Sequence, residues 1–151
     1  MFTNTEIADI IFNIASENNG KVFGGYVRDV LIPCEVDPLC NVSFNDIDIW
    51  FETELEANIF INDINDNFDL REIPKMEIKP GVVHYAFGRQ QYHLYQDNKC
   101  ILWIDVVISD MIPVDDFDVN YLTCIIRDNI KIFKSFSENY TTEDLILKIK
   151  S

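Results

Sequence analysis

Two short motifs constrain the fold of this chain more than any other feature. The first, at residues 22–29, reads Val-Phe-Gly-Gly-Tyr-Val-Arg-Asp and predicts a strand that passes through a double glycine into a helix. The second, at residues 45–51, reads Asn-Asp-Ile-Asp-Ile-Trp-Phe and predicts a buried strand. Because alternate residues of a strand point the same way, Asp46 and Asp48 share one face.

The residues of these motifs suit a metal ion and a phosphate chain. Two neighbouring carboxylates, Asp46 and Asp48, repel each other unless a cation lies between them. A glycine turn at Gly24-Gly25 that opens a helix attracts phosphate through its backbone N–H groups, and Arg28 adds positive charge. Taken singly, each feature has a plainer explanation: an exposed acidic strand face, an ordinary turn, or a surface pair of Arg28 with Asp29.

A third carboxylate lies in another apolar segment. Residues 101–108 read Ile-Leu-Trp-Ile-Asp-Val-Val-Ile, which predicts a buried strand interrupted only by Asp105. A buried carboxylate is costly unless it has a partner. A metal shared with Asp46 and Asp48 would provide one, and a salt bridge or a strand-end cap would provide another. Three such carboxylates can hold one or two Mg²⁺ ions for phosphoryl or nucleotidyl transfer.

The remaining patterns predict a single α+β domain over residues 1–151, with no repeat and no linker. Two predicted helices begin at the capping boxes Thr3–Glu6 and Thr53–Glu56, and another begins after Thr141. Two more are predicted at 26–32, where Pro33 stops the helix, and at 117–124. Predicted strands are 21–23, 46–51, 68–78 at a sheet edge with a break at Pro74, 82–87, 91–95, 101–108 and a hairpin at 125–133. Residues 33–44 are predicted to form a loop.

The same patterns assign side chains to the core or to the surface. The helix after Thr53 should bury Leu55, Ile59, Phe60 and Ile64. His84 and His93 are interpreted as packing or surface residues. The aromatic side chains expected in the core are Trp50, Phe51, Tyr92, Tyr95 and Trp103.

Charge and cysteine content limit the partners of the chain. A formal charge of −14, from twelve basic and twenty-six acidic residues, opposes an extended grip on nucleic acid. The four cysteines, Cys34, Cys40, Cys100 and Cys124, form no C-x-x-C pair, so we expect reduced thiols in a cytoplasmic compartment and no zinc site. No apolar run approaches the roughly 20 residues of a membrane span, and no secretory leader is expected.

The two motifs resemble those of the nucleotidyltransferase superfamily that includes DNA polymerase β. The sequence is most similar to the head domain of bacterial-type tRNA CCA-adding enzymes and bacterial poly(A) polymerases. That family carries G-G-x-V-R-D and then D-x-D, which stand here at 24–29 and 46–48. Its later motif R-R-D-F-T-I-N-A-L is echoed at 114–122, and its closing hairpin and E-D-L stretch at 125–133 and 143–145.

The resemblance implies a mixed sheet backed by helices and a Mg²⁺- or Mn²⁺-dependent transfer of a nucleotide. Asp46 and Asp48 would bind the metal, and Asp105 is the candidate for the third carboxylate of the superfamily. The glycines Gly24 and Gly25, together with Arg28 and Asp29, would lie at the nucleotide, with ATP or CTP the expected substrate.

The departures from the family concern the acceptor. Val114 and Asp115 replace the two arginines of the later motif, which contact ribose and phosphate in the family. The sequence has no counterpart of the neck that reads the base or of the body and tail that hold tRNA, so we do not expect faithful CCA addition. The acceptor hydroxyl stays open among an RNA 3′ end presented by a partner, a small molecule and a protein side chain.

We therefore expect a minimal nucleotidyltransferase that transfers NMP from an NTP to an acceptor hydroxyl. Two alternatives stay open. The first alternative is a degenerate nucleotidyltransferase-fold module that acts in protein interaction or regulation. The second is a subunit that is completed by a separate RNA-binding chain.

Overall fold

In this computed structural model, residues 2–37, 39, 44–73, 88–109, 122–134 and 139–150 are described. Their strands are β1 (Lys21–Phe23), β2 (Asp46–Phe51), β3 (Asp69–Ile73), β4 (Gly88–Gln96), β5 (Lys99–Ile108), β6 (Thr123–Arg127), β7 (Ile130–Lys134) and β8 (Asn139–Tyr140). Their helices are α1 (Asn4–Glu17), α2 (Ile32–Val36), α3 (Glu54–Asn67) and α4 (Thr142–Lys150), and a π-helical turn (Val27–Leu31) precedes α2.

All the strands described belong to one mixed sheet in the order β3-β4-β5-β2-β1-β6-β7-β8. The central strands β2 and β5 pair in parallel, and the other described pairs are antiparallel. The predicted α+β class is confirmed at this level. The hairpin predicted at 125–133 is also confirmed, because Asp128 and Asn129 adopt φ of 53° and 63° between β6 and β7. Two successive positive φ angles are typical of a tight type I′ hairpin turn.

Helices α1 and α3 cover one face of the sheet. Ile47, Ile49 and Phe51 alternate along β2 and are fully buried on this face, where Phe51 packs against Phe60 of α3 with ring centroids 5.2 Å apart. The capping box at the start of α1 is confirmed, since Thr3 and Glu6 exchange two hydrogen bonds of 3.1 Å. The opposite face of the sheet therefore carries Asp46 and Asp48.

The N-cap of α3 is confirmed, but its predicted inward face is partly wrong. The Thr53 hydroxyl accepts a hydrogen bond of 3.3 Å from the Glu56 N–H. Leu55 and Ile59, which we expected in the core, are 70% and 42% exposed. Phe60 and Ile64 lie in the core as predicted, together with Ala57, and this narrower stripe of helical spacing leaves Leu55 and Ile59 beside it in solvent.

The predicted helix stop at Pro33 is wrong, and the loop predicted for 33–44 is wrong at 33–36. Helical backbone continues through Pro33 to Val36, with Pro33 in the first turn of α2. Proline lacks an N–H and its ring crowds the carbonyl four residues earlier, so it disrupts a regular helix interior. Here the wider π turn lies immediately before Pro33, where the Ile32 N–H donates to the Val27 carbonyl.

Several other predictions can be followed only in part. β3 lies at a sheet edge as expected for 68–78, and α4 follows the Thr141 cap, where the Thr141 hydroxyl accepts from the Asp144 N–H at 3.3 Å. Residues 123 and 124 begin a strand, so the helix predicted at 117–124 is wrong there. Outside the described residues lie 117–121 of that helix, Pro74, His84, the strand at 82–87 and the echoed motif up to residue 121.

None of the described helices combines the length and the apolar composition that crossing a bilayer requires.

Candidate functional site

The three predicted carboxylates come together on the sheet face opposite α1 and α3. Asp46, Asp48 and Asp105 each place one carboxylate oxygen within 4.8 Å of the others. Asp46 is exposed, Asp48 is half-buried and Asp105 is only 6% exposed. The cluster thus runs from solvent into the sheet.

The parallel pairing of β2 and β5 creates this cluster. Its register sets Asp48 beside Asp105 and Asp46 beside Trp103, so the alternation of β2 and β5 directs these side chains to one face. Two carboxylate charges within 4.8 Å of each other, at an effective dielectric constant of about 20, repel by about 3.5 kcal/mol or more. Carboxylate oxygens arranged in this way suit a hard divalent cation such as Mg²⁺ or Mn²⁺.

Gly24 lies directly against this cluster. It adopts a φ of +69°, and a Cβ atom at this position would lie 3.0 Å from Oδ2 of Asp48. A side chain here would be both strained and crowded against the carboxylate. Because residue 24 has no side chain, the backbone of the glycine turn can lie close to the D-x-D motif.

Gly25 and Arg28 lie close together in the helical turn that follows Gly24. The Arg28 N–H donates to the Gly24 carbonyl at 3.1 Å, so the helical turn starts at the glycines. A Cβ atom on Gly25 would lie 3.7 Å from the Arg28 Nη2, in ordinary van der Waals contact. The Arg28 side chain thus folds back beside the glycine turn.

Arg28 and Asp29 form an exposed bidentate ion pair. Nε and Nη2 of Arg28 each donate to the Asp29 carboxylate at 2.8 Å. This hydrogen bonding raises the pKa of Arg28 and lowers the pKa of Asp29 below its usual range. Both groups are therefore charged at neutral pH, and the guanidinium predicted to meet phosphate has a carboxylate beside it.

No family model, curated protein or solved structure matches this chain. The support for a function therefore comes from its residues and their geometry.

A contact between the first motif and the residue that precedes the second motif was not predicted. Tyr26, from the first motif, is buried and packs edge-on against Phe44, with ring centroids 5.2 Å apart. Burial raises the pKa of the Tyr26 hydroxyl. Phe44 lies just before β2, so this pair joins the helical turn after the glycines to the strand that carries Asp46. Only the aromatic character of both residues hinted at it.

The expected core position of Trp103 is wrong. Its side chain is 45% exposed and stacks on His93 of β4, with ring centroids 4.7 Å apart and planes inclined by 8°. His93 is half-buried, in agreement with the prediction of a packing or surface residue. The sequence held a signal for Trp103, because it lies two residues before Asp105 and shares its side of the strand.

Proposed function

We propose that this chain is a nucleotidyltransferase that uses Mg²⁺ or Mn²⁺ to transfer NMP from an NTP to an acceptor hydroxyl. One observation carries the proposal: three carboxylates within 4.8 Å of one another lie against a glycine turn that only a residue without a side chain fits well. The resemblance of both motifs to the nucleotidyltransferase superfamily supports it, as does the mixed sheet with helices on one face.

Each residue of the site has a distinct proposed role. Asp46 and Asp48 hold the metal, and Asp105, which is buried, completes the carboxylate set and orients the acceptor hydroxyl. The turn at Gly24 and Gly25 allows the triphosphate to approach the backbone closely, next to the positive end of the helical turn. Arg28 faces the phosphates, and Asp29 holds its guanidinium in place.

The reaction is a displacement at the α-phosphorus. The acceptor oxygen forms a bond to the α-phosphorus while the bond to the bridging oxygen of pyrophosphate breaks, and the hydroxyl proton of the acceptor passes to water. A bound divalent ion supplies charge neutralisation for the phosphates and lowers the pKa of the attacking hydroxyl. ATP or CTP is the proposed nucleotide, and an RNA 3′ end, a small molecule and a protein side chain are the candidate acceptors.

Thermal melting with each of the four NTPs, with and without Mg²⁺, tests this function without knowledge of the acceptor. A ligand that binds only the folded state stabilises it by about 2.7 kcal/mol at a hundredfold excess over Kd. We expect a Mg²⁺-dependent shift in the native chain that is lost in the double variant Asp46→Asn/Asp48→Asn.

Asp66→Asn is the control for a lost carboxylate, because it removes one such charge from an exposed position on α3, on the other side of the sheet. The variant should retain the full shift. Transfer of label from an α-labelled NTP to RNA would then identify one acceptor class. Equal shifts in the native chain and the double variant would contradict the proposal.

A second candidate function is a degenerate module for protein interaction or regulation. The bidentate contact between Arg28 and Asp29 favours it, because the guanidinium predicted to bind phosphate has a carboxylate in contact with it. This candidate predicts no melting shift with any NTP in the presence of Mg²⁺.

A further inference from the structure

Trp103 is an exposed aromatic residue beside the carboxylate cluster. Across the sheet it lies between Asp46 of β2 and His93 of β4, in one register row and on one face. Its side chain is 45% exposed, whereas Leu102 and Ile104 on either side of it are buried in the core. Tryptophan carries a large apolar surface, so a half-exposed ring next to a polar site suggests a use for that surface.

The stack of Trp103 on His93 determines which face of the indole is open. The ring centroids are 4.7 Å apart and the planes differ by 8°, so the rings stand side by side at the spacing of adjacent strands. His93 on β4 covers the face of the indole that looks toward β4. The other face of Trp103 looks toward β2, the strand that carries Asp46.

A cleft is lined in part by Trp103 and by Asp46, its register partner on β2. It has a volume of about 480 Å³, within the range of small-molecule sites. Its lining residues are Asn45, Asp46, Cys100, Ile101, Leu102 and Trp103. A ligand held at the carboxylates through Asp46 therefore has an aromatic surface and a cleft within one strand spacing.

We propose that Trp103, supported by His93, forms a stacking platform for a nucleobase of the substrate held at Asp46, Asp48 and Asp105. The platform is flat and aromatic, which suits a nucleobase because every base has a π face. The charge of −14 opposes a long polyanion, so the platform serves one base or a few rather than an extended strand. This inference rests on the proposed function, and it names the group of the substrate that the site recognises.

A purely structural role for the pair needs no ligand. Cross-strand aromatic pairs stabilise sheets, and Trp103 and His93 are direct partners in the register of β4 and β5. This role predicts that removal of Trp103 lowers stability and leaves ligand affinity unchanged. Affinity and stability must therefore be measured separately.

Tryptophan fluorescence of the native chain reports on the platform directly. The other tryptophan, Trp50, is 7% exposed, and its Nε1 donates to the Ser109 carbonyl at 2.6 Å, so Trp103 is the accessible fluorophore. The chain is titrated, with Mg²⁺ present, with each of the four NTPs, with a single-stranded oligoadenylate of three nucleotides, and with inorganic tripolyphosphate. We expect quenching by a probe that carries bases and none by tripolyphosphate.

Two variants separate binding from packing. Trp103→Leu should lower the affinity for the base-carrying probe by about 5- to 150-fold, which corresponds to about 1–3 kcal/mol. The affinity for tripolyphosphate should stay unchanged. Phe2→Leu is the matched control, because Phe2 is also exposed, at 49%, and also contacts another ring, that of Phe68. If Trp103→Leu does not fold, Trp103→Phe, which keeps a smaller ring, should lose part of the affinity.

The outcomes distinguish the source of the base. Quenching by an NTP supports the platform and assigns it to the incoming nucleotide, whereas quenching by oligoadenylate alone supports it and assigns it to the acceptor. If tripolyphosphate raises the melting temperature but no base-carrying probe quenches Trp103, the platform is overturned and the proposed function stands. If no probe binds in the presence of Mg²⁺, both are overturned.

Discussion

Asp48 and Asp105 lie side by side on the parallel strands β2 and β5, with Asp105 almost completely buried. Carboxylates at such close range destabilise the fold unless a cation compensates their charge. We infer an electrostatic cost in the sheet at the same place where the proposed reaction needs metal ligands. Sites of function commonly carry such a local cost in stability.

The first prediction concerns this cost. In EDTA, Asp48→Asn should raise the free energy of unfolding by about 1–3 kcal/mol, because one of the repelling charges is removed. Addition of Mg²⁺ should stabilise the native chain and have little effect on the variant. Urea unfolding with EDTA or with Mg²⁺ measures both effects.

Asp66→Asn is again the control for the charge change, and it should respond to Mg²⁺ as the native chain does. A variant Asp48→Asn that is less stable than the native chain in EDTA would show that the carboxylates do not strain the fold.

The second prediction separates the two glycines of the turn. Gly24→Ala should destabilise the chain by about 1–2 kcal/mol, because alanine is strained at a φ of +69° and its Cβ would lie 3.0 Å from Oδ2 of Asp48. Gly25→Ala should change the stability little or raise it by up to about 1 kcal/mol, since a Cβ there meets only ordinary contacts. Thermal unfolding of the two variants gives the comparison, and equal losses would contradict it.

Mg²⁺ binding adds a second measurement on the same pair. Gly24→Ala should also weaken the stabilisation by Mg²⁺, because its methyl group displaces the Asp48 carboxylate. Gly25→Ala, which adds a methyl group one residue further on, should retain that stabilisation.

Local patterns in the sequence predicted the parts of this fold that local interactions decide. The Thr3 cap, the hairpin turn at Asp128 and the alternation of Asp46 and Asp48 each depend on residues a few positions apart. Leu55 was misassigned because the helical period alone does not tell how wide a stripe the neighbouring elements cover. Pro33 was misread because a π turn, which has no simple sequence signal, precedes it.

The candidate site divides in the same way. The residue types of Asp46, Asp48 and Asp105 could be chosen from sequence, but their proximity depends on the parallel pairing of β2 with β5, which are far apart in the chain. The position of Trp103 beside Asp46 follows from that pairing too. Residues two positions apart in a strand share one face, so Asp105 predicts that Trp103 lies on the same face of the sheet.

The third prediction concerns the thiols. Cys124 is fully buried, and burial raises the pKa of its thiol to about 12. At pH 8, iodoacetamide should therefore modify the half-buried Cys34 and Cys100 in the folded chain but reach Cys124 only after unfolding. Peptide mass mapping with and without urea measures this order, and rapid labelling of Cys124 in the folded chain would contradict the packing of β6.

The raised pKa of the Cys124 thiol also makes the stability of the fold depend on pH. In the unfolded chain this thiol loses its proton near its ordinary pKa of 9.0, whereas the folded chain keeps the proton up to about 12. The unfolded state therefore binds fewer protons between these values, and the free energy of unfolding falls as the pH rises through them. Cys124→Ala should reduce the slope of the free energy of unfolding against pH. The measurement compares this slope between the variant and the native chain, and not their absolute stabilities.

The fourth prediction tests the role of Arg28 in phosphate binding. Arg28→Gln should weaken the binding of tripolyphosphate in the presence of Mg²⁺ by about 10- to 150-fold, because a charge-assisted hydrogen bond contributes about 1.5–3 kcal/mol. Arg71→Gln is a close match, since Arg71 is exposed to a similar extent, 48% against 44%, and pairs with Asp69 at 2.9 Å. Exposed ion pairs stabilise proteins little, so neither variant should change the free energy of unfolding by more than about 1 kcal/mol. Isothermal titration with both variants decides the matter: a loss specific to Arg28 places the phosphates at the glycine turn, and equal affinities would remove Arg28 from the site while leaving the carboxylates to be tested by Asp48→Asn.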